Sequence, residues 1–204
     1  MLIRLKIPKT IQWTINLFLV LFLFFFIFRI ITFFVFRPPG FGINDAIASI
    51  LMGIQYDLRW ISMILLPIIL LSLYRPFTPF YSGRNRRIWT WYFATVFFFI
   101  FFFFIADLVS FSYNQTRIDA GAMNFVEDPG ISINMLWQTY PLIWIIIGLT
   151  VAIILFKWLL NKSHWQVASV TDGKSIMHRK VPFVVTLVIL GIFIYGKIDN
   201  APLK

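Results

Sequence analysis

An acidic and a basic side chain interrupt the apolar stretch that follows residue 52. The segment 53–59, with sequence GIQYDLR, leads directly into the apolar run 60–73. An Asp or Arg at mid-membrane costs about 2.5 to 3.5 kcal/mol on insertion scales, so such residues usually face protein or water and mark a functional or packing site. Asp57 and Arg59 are two positions apart, roughly 200° around a helix, so they cannot pair with each other. Asp57 therefore needs a partner on another helix.

Other ionisable residues fall at a similar depth in neighbouring apolar segments. Counted from the basic flank of each predicted span, Arg29, Asp57 and Arg59 fall in the outer leaflet. Asp107 reaches the outer boundary of the third span by the same count. Charges from three helices thus gather at one level. The natural pairings are Arg29 or Arg59 with Asp57 or Asp107.

Three roles are open for these charges. Two guanidinium groups at headgroup depth suit an anionic phospholipid, because guanidinium matches phosphate bidentately. The charges could instead pair with each other and only hold helices together. In the third alternative Arg29 and Arg59 extend to the lipid surface and select nothing.

The composition places these residues in an integral membrane protein. The 204 residues are 60 % hydrophobic and 13 % charged, which a soluble domain of this size could not bury. The net charge of +10 lies at the ends of apolar segments and not in a stripe, so nucleic-acid binding is not expected. There is no cysteine, and His164 and His178 fall in one predicted loop without metal-ligand spacing. No catalytic motif, metal site or cofactor site is predicted in this chain.

The apolar segments predict an all-α, polytopic fold. Five transmembrane helices are expected at about 11–36, 44–74, 88–106, 141–160 and 181–195. The polar segment 107–140 is expected to form one or two short amphipathic helices at the membrane surface. Residues 1–196 would then be the membrane domain, and 197–204 the start of an extracytoplasmic connector.

The distribution of basic residues predicts the orientation. Twelve lysines and arginines fall in predicted loops on one side of the membrane and four on the other. The richer side faces the cytoplasm, so the amino terminus is expected inside and, after five crossings, the carboxyl terminus outside.

Several short motifs resemble the membrane part of the lipoteichoic-acid-synthase-like proteins of the sulfatase (alkaline phosphatase) superfamily. The second span carries a Gly-x-x-Tyr-Asp-Leu-Arg element at 53–59, and Asp107 follows the third span. Next come TRIDA at 116–120, which contains Arg117, and NFVEDP at 124–129. The tail 195–203, YGKIDNAPL, looks like the start of the family's connector.

The resemblance implies an envelope protein of the bacterial cytoplasmic membrane. In that family an outer domain after the fifth span carries the nucleophile and a divalent metal, and it transfers a phosphoglycerol-type headgroup or hydrolyses a sulfate or phosphate ester. This chain stops at Lys204, so no catalytic residue or metal ligand can be carried over. The expected role is to anchor that domain and to present a membrane phospholipid headgroup at a polar cluster of Arg29, Asp57, Arg59, Asp107 and Arg117.

Two other classes of function are compatible with the sequence. A non-enzymatic scaffold would bind partner proteins within the membrane. A small transporter subunit would need a polar path through both leaflets, whereas the inner halves of these spans offer little beyond Gln12, Asn16 and a few Ser and Thr.

Overall fold

Five long α-helices are present in the part of the chain that the structure describes. The computed structural model describes residues 7–36, 42–114, 142–169 and 177–195, together with 130, 134, 135, 137, 138 and 140. The helices are α1 (Lys9–Phe36), α2 (Ile43–Ser72), α3 (Gly83–Asn114), α4 (Leu142–Ala168) and α5 (Met177–Tyr195). A single 3₁₀ turn, Arg75–Phe77, lies between α2 and α3. Within the described ranges there is no strand, and the all-α prediction is confirmed.

The helices have the length and composition of membrane spans. Four helical segments each contain an apolar stretch long enough to cross a bilayer: α1, α3, α4 and the part of α2 from Ser49 onward. α5 is shorter, and its apolar part is Val181–Tyr195. At 1.5 Å per residue, the full 19 residues of α5 cover roughly 28 Å, close to the thickness of a hydrocarbon core. The chain is a multi-pass membrane protein.

α3 and α4 extend well beyond the ends that the sequence predicted, and α5 begins at Met177 and not at 181. α3 begins at Gly83 and continues to Asn114, so the arginines at 84, 86 and 87 are helical and Asp107 lies within the helix. α4 continues to Ala168 and includes His164, which the sequence had placed in a loop. Polar side chains do not end these helices. The backbone hydrogen bonds of a helix form within the helix itself, so it can continue past the bilayer whatever side chains it carries.

The segment predicted to carry interfacial helices lies mostly outside the described residues. Gly130, the pair 134–135 and the pair 137–138 are helical. The structure does not describe most of the other residues of 115–141, among them Arg117. It does not describe the connector 196–204 either.

The chain divides into two compact units. One comprises Met1–Trp91 and Leu159–Lys204, and the other comprises Tyr92–Trp158. In the first unit α2 packs along both α1 and α5. Its buried stripe recurs every three to four residues, as a helix flanked by neighbours requires, and consists of Ile61, Leu65, Ile68 and Ile69.

The second unit is held largely by aromatic packing. Phe97 of α3 and Phe156 of α4 stack face to face, with ring centroids 4.0 Å apart. Both side chains are fully buried, whereas Phe102 and Phe103 are exposed on α3. The phenylalanine run of α3 therefore supplies one packing face and one exposed face suited to lipid.

Candidate functional site: a guanidinium seat on the second helix

Arg29 of α1 reaches across to α2 and binds the side chain of Asp57. Its Nε donates to Asp57 Oδ2 at 2.8 Å, and its Nη2 donates to Oδ1 at 2.6 Å. This is the two-point geometry in which guanidinium and carboxylate are most complementary. The side chain of Asp57 is 10 % exposed and that of Arg29 is 26 % exposed. The sequence had named this pairing among its four candidates.

A backbone carbonyl completes the contact. Arg29 Nη2 also donates to the carbonyl oxygen of Gly53, at 2.8 Å. Gly53 and Asp57 are four positions apart, so they lie one above the other on the same face of α2. Together they form what we call the guanidinium seat: Asp57 and the backbone of Gly53, with Arg29 lying on them.

A side chain at position 53 would displace the guanidinium of Arg29. A Cβ built on Gly53 would stand 1.6 Å from Arg29 Nη1 and 2.0 Å from its Cζ. The absence of a side chain therefore lets the guanidinium plane lie against the α2 backbone. In contrast, a Cβ on the helical glycines Gly148 and Gly191 would meet nothing within 4 Å.

One edge of the guanidinium stays uncommitted. Arg29 Nε and Nη2 are used by the seat, whereas Nη1 has no hydrogen-bond partner among the residues that the structure describes. Nη1 carries two N–H donors. The seat thus leaves one nitrogen of the guanidinium without a hydrogen-bond partner among the described residues.

Arg59 connects the same stretch of α2 to the end of α5. Its Nη2 donates to the carbonyl oxygen of Tyr195 at 3.1 Å. Its guanidinium carbon lies 5.9 Å from the centroid of the Tyr56 ring, within range of a cation–π contact. Tyr195 is the last residue of α5, so Arg59 caps a carbonyl that the helix itself leaves without a donor.

The other two residues of the predicted cluster, Asp107 and Arg117, take no part in the contacts described above. Asp107 is half-buried on α3 and belongs to the other compact unit. Arg117 lies outside the described residues. The structure therefore brings together Arg29 and Asp57, whereas Arg59 makes a separate contact with the end of α5. No three His, Cys, Asp or Glu side chains come together as a metal site within the described part of the chain.

Sequence reasoning missed two participants that act through their backbones. The Gly53 and Tyr195 carbonyls carry no side-chain signal. Gly53 and Asp57 are four residues apart, but this spacing alone does not identify Gly53 as part of the contact. The clash that a Cβ at position 53 would make with Arg29 does. Comparison with protein-family models, with curated proteins and with solved structures finds no match to this chain.

Proposed function

We propose that this chain is the membrane anchor of a phosphoglycerol-transferase or sulfatase-like envelope enzyme, and that it presents a lipid headgroup. In this proposal it lies in the bacterial cytoplasmic membrane, with its amino terminus inside and its carboxyl end outside. An extracytoplasmic catalytic domain would follow α5 and would carry the nucleophile and the divalent metal. The motifs at 53–59 and 107–129 and the excess of basic residues on one side support this assignment.

The observation that carries the proposal is the bond from Arg59 to the carbonyl of Tyr195. Arg59 is two residues from Asp57 and about 200° around α2, so this bond holds the end of α5 at the level of the guanidinium seat, on the other face of α2. Whatever follows α5 starts next to the guanidinium of Arg59. An anchor that also hands over a lipid headgroup requires this proximity between its binding groups and the start of the outer domain.

The two arginines would divide the work. Arg29 is neutralised by Asp57, so it offers direction more than net attraction. Arg59 has no carboxylate partner in the described part of the chain, and its bond to a neutral carbonyl leaves its charge uncompensated. Arg59 would supply the attraction for a phosphate beside α5, while Nη1 of Arg29, on the other face of α2, would orient a headgroup beside α1.

Retention of phosphatidylglycerol by the purified chain tests this assignment. Arg59→Ala is expected to lower the amount of phosphatidylglycerol that native mass spectrometry detects on the protein. Lys157→Ala removes an exposed charge from α4 and is the control, with little change expected. Equal retention by both variants, with unchanged melting temperature, would leave the seat a structural pairing between helices.

A small transporter subunit is the second candidate, because buried polar groups cross the apolar packing. Asn16 on α1 and Ser62 on α2 are 2 % and 0 % exposed. Asn16 Nδ2 and Ser62 Oγ have no hydrogen-bond partner among the described residues. Water along these groups would provide the polar path that transport needs. Solute accumulation in proteoliposomes, lost in Asn16→Leu, would favour this candidate.

A further inference from the structure

The connection between α2 and α3 is a fixed corner. We call residues 74–91 the basic corner. Trp89 Nε1 donates to the carbonyl of Phe77 at 2.9 Å, and the Asn85 amide donates to the carbonyls of Pro76 and Thr78. The Ser82 hydroxyl accepts the backbone N–H of Asn85, which caps the start of α3. These bonds tie the 3₁₀ turn to the first turns of α3, so the outward side chains project from a defined surface.

The corner carries positive charge without an acidic residue in its own segment of the sequence. The sequence contains no Asp or Glu from residue 58 to residue 106, while the corner contains four arginines. Arg86 points inward, where it donates to Asn161 Oδ1 at 3.1 Å and lies 4.8 Å from the Trp165 ring. The other three are exposed, and their side chains make no hydrogen bond or ion pair with the described residues: Arg75, Arg84 and Arg87.

The exposed arginines continue into an apolar stripe. Arg84, Arg87, Ile88 and Trp91 follow the i, i+3, i+4, i+7 spacing of a single helix face. Ile88 and Trp91 are 56 % and 61 % exposed. One face of α3 thus changes from charged to apolar within two turns, as a surface crossing from headgroups to acyl chains does.

Aromatic side chains surround the arginines. Tyr74, Phe77 and Tyr81 are 69 %, 52 % and 61 % exposed. A water-facing loop would not present three large rings, and an acidic protein would not account for the stripe that runs into a membrane helix. Tyrosine and tryptophan rings are favoured at headgroup level.

We propose that the basic corner is a binding surface for anionic phospholipid headgroups, whose phosphates are bound by Arg84 and Arg87 with support from Arg75. This surface is separate from the guanidinium seat. At 1.5 Å per residue, Ser72 lies roughly 22 Å further along α2 than Asp57, which is most of a hydrocarbon thickness. The two surfaces therefore contact opposite leaflets, and the inference stands without the proposed function.

Lipid selectivity in nanodiscs tests the proposal. The full chain is placed in nanodiscs of equal parts phosphatidylglycerol and phosphatidylcholine, and the immobilised fraction of a spin-labelled analogue of each lipid is measured. The wild-type chain is expected to prefer phosphatidylglycerol. Arg84→Gln combined with Arg87→Gln should lower this preference by about five-fold for each guanidinium removed. Arg84→Lys with Arg87→Lys keeps both charges and should retain most of it.

A matched pair of substitutions separates the corner from general attraction. Lys157→Gln with Lys162→Gln removes the same charge from exposed positions on α4 and should change the preference less than two-fold. An equal loss in this pair would mean that the attraction is not localised, and would overturn the assignment. A wild-type chain without preference, or a preference that survives in the Arg84/Arg87 double variant with unchanged melting temperature, would overturn it as well. The corner would then be left to an acidic protein partner.

Discussion

At the scale of single residues, the feature that organises the molecule is a glycine next to an arginine. The sequence predicted that Asp57 needs a partner on another helix and named Arg29 among the candidates. It did not predict that Gly53 would be part of the contact, because a missing side chain carries no chemical signal. The two-point bond of Arg29 to Asp57 depends on the closeness of approach that Gly53 allows.

The substitution Gly53→Ala tests that dependence. Alanine favours a helix over glycine by about 1 kcal/mol, so this change would ordinarily be stabilising. Here the added Cβ displaces the guanidinium and disrupts charge-assisted hydrogen bonds that are worth about 1.5 to 3 kcal/mol each. We expect the free energy of unfolding in detergent to fall by about 1 to 2 kcal/mol as the balance of these terms.

Gly191→Ala is the matched control for this experiment. Its Cβ would meet nothing within 4 Å, so only helix propensity acts and a small gain in stability is expected. A gain of similar size in Gly53→Ala would show that Arg29 does not lie on the α2 backbone.

Removing one partner of the Arg29–Asp57 ion pair should lower the free energy of unfolding more than replacing both partners. Asp57→Asn leaves a largely desolvated guanidinium without its counter-charge, and we expect a loss of about 3 kcal/mol. Arg29→Met combined with Asp57→Leu replaces the pair by apolar packing and should recover most of that loss. A double-mutant cycle on the free energy of unfolding measures the difference. Additive single effects would contradict a direct interaction between the two side chains.

At the scale of the helices, the sequence predicted their number and approximate positions but not all of their ends. Apolar length is a strong signal for a span, and α1 and α2 begin and end within two residues of the prediction. The end of α4 was missed because Asn161 and His164 are polar. In the structure Asn161 accepts a hydrogen bond from Arg86. His164 stacks on Phe80 at 4.6 Å and meets the edge of Trp13 at 5.8 Å.

Those contacts explain why the last turns of α4 could not be predicted. The partners of Asn161 and His164 come from segments that are 75 or more positions away in the sequence. Local polarity favoured a loop, and tertiary packing overrode it. The same difficulty affects the start of α3, where the cluster of arginines suggested a loop and the Ser82 cap instead begins a helix.

The stacked pair of α3 and α4 gives a prediction at this scale. Phe156→Ala removes a fully buried ring that stacks on Phe97 at 4.0 Å. Lipid can replace part of the lost apolar contact, so we expect a loss of about 2 kcal/mol, below the range for a soluble core. Phe103→Ala removes a ring that is 60 % exposed and should change stability little. Thermal unfolding in one detergent compares the two, and equal losses would argue against the stacking.

At the scale of the whole molecule, the balance of charges predicts an orientation that the helices alone do not determine. The absence of cysteine from the sequence makes that orientation directly measurable. Tyr81→Cys in the basic corner and Ala201→Cys near the carboxyl end should react from opposite sides with a membrane-impermeant maleimide. In intact cells we expect labelling of the Ala201→Cys variant and none of the Tyr81→Cys variant until the membrane is opened. The reverse pattern would invert the topology and place the guanidinium seat in the inner leaflet.

The pairing of Arg29 with Asp57 also has a consequence for biosynthesis. The two residues are separated by 28 positions, so Arg29 leaves the ribosome and reaches the translocon ahead of its counter-charge. Entering lipid alone would expose a cation at a cost of about 2.5 to 3.5 kcal/mol. The first two helices are therefore expected to leave the translocon laterally as one hairpin. Slow elongation while Arg29 is in the translocon and Asp57 is still inside the ribosome would prolong the interval in which the nascent chain depends on the translocon to shelter that charge.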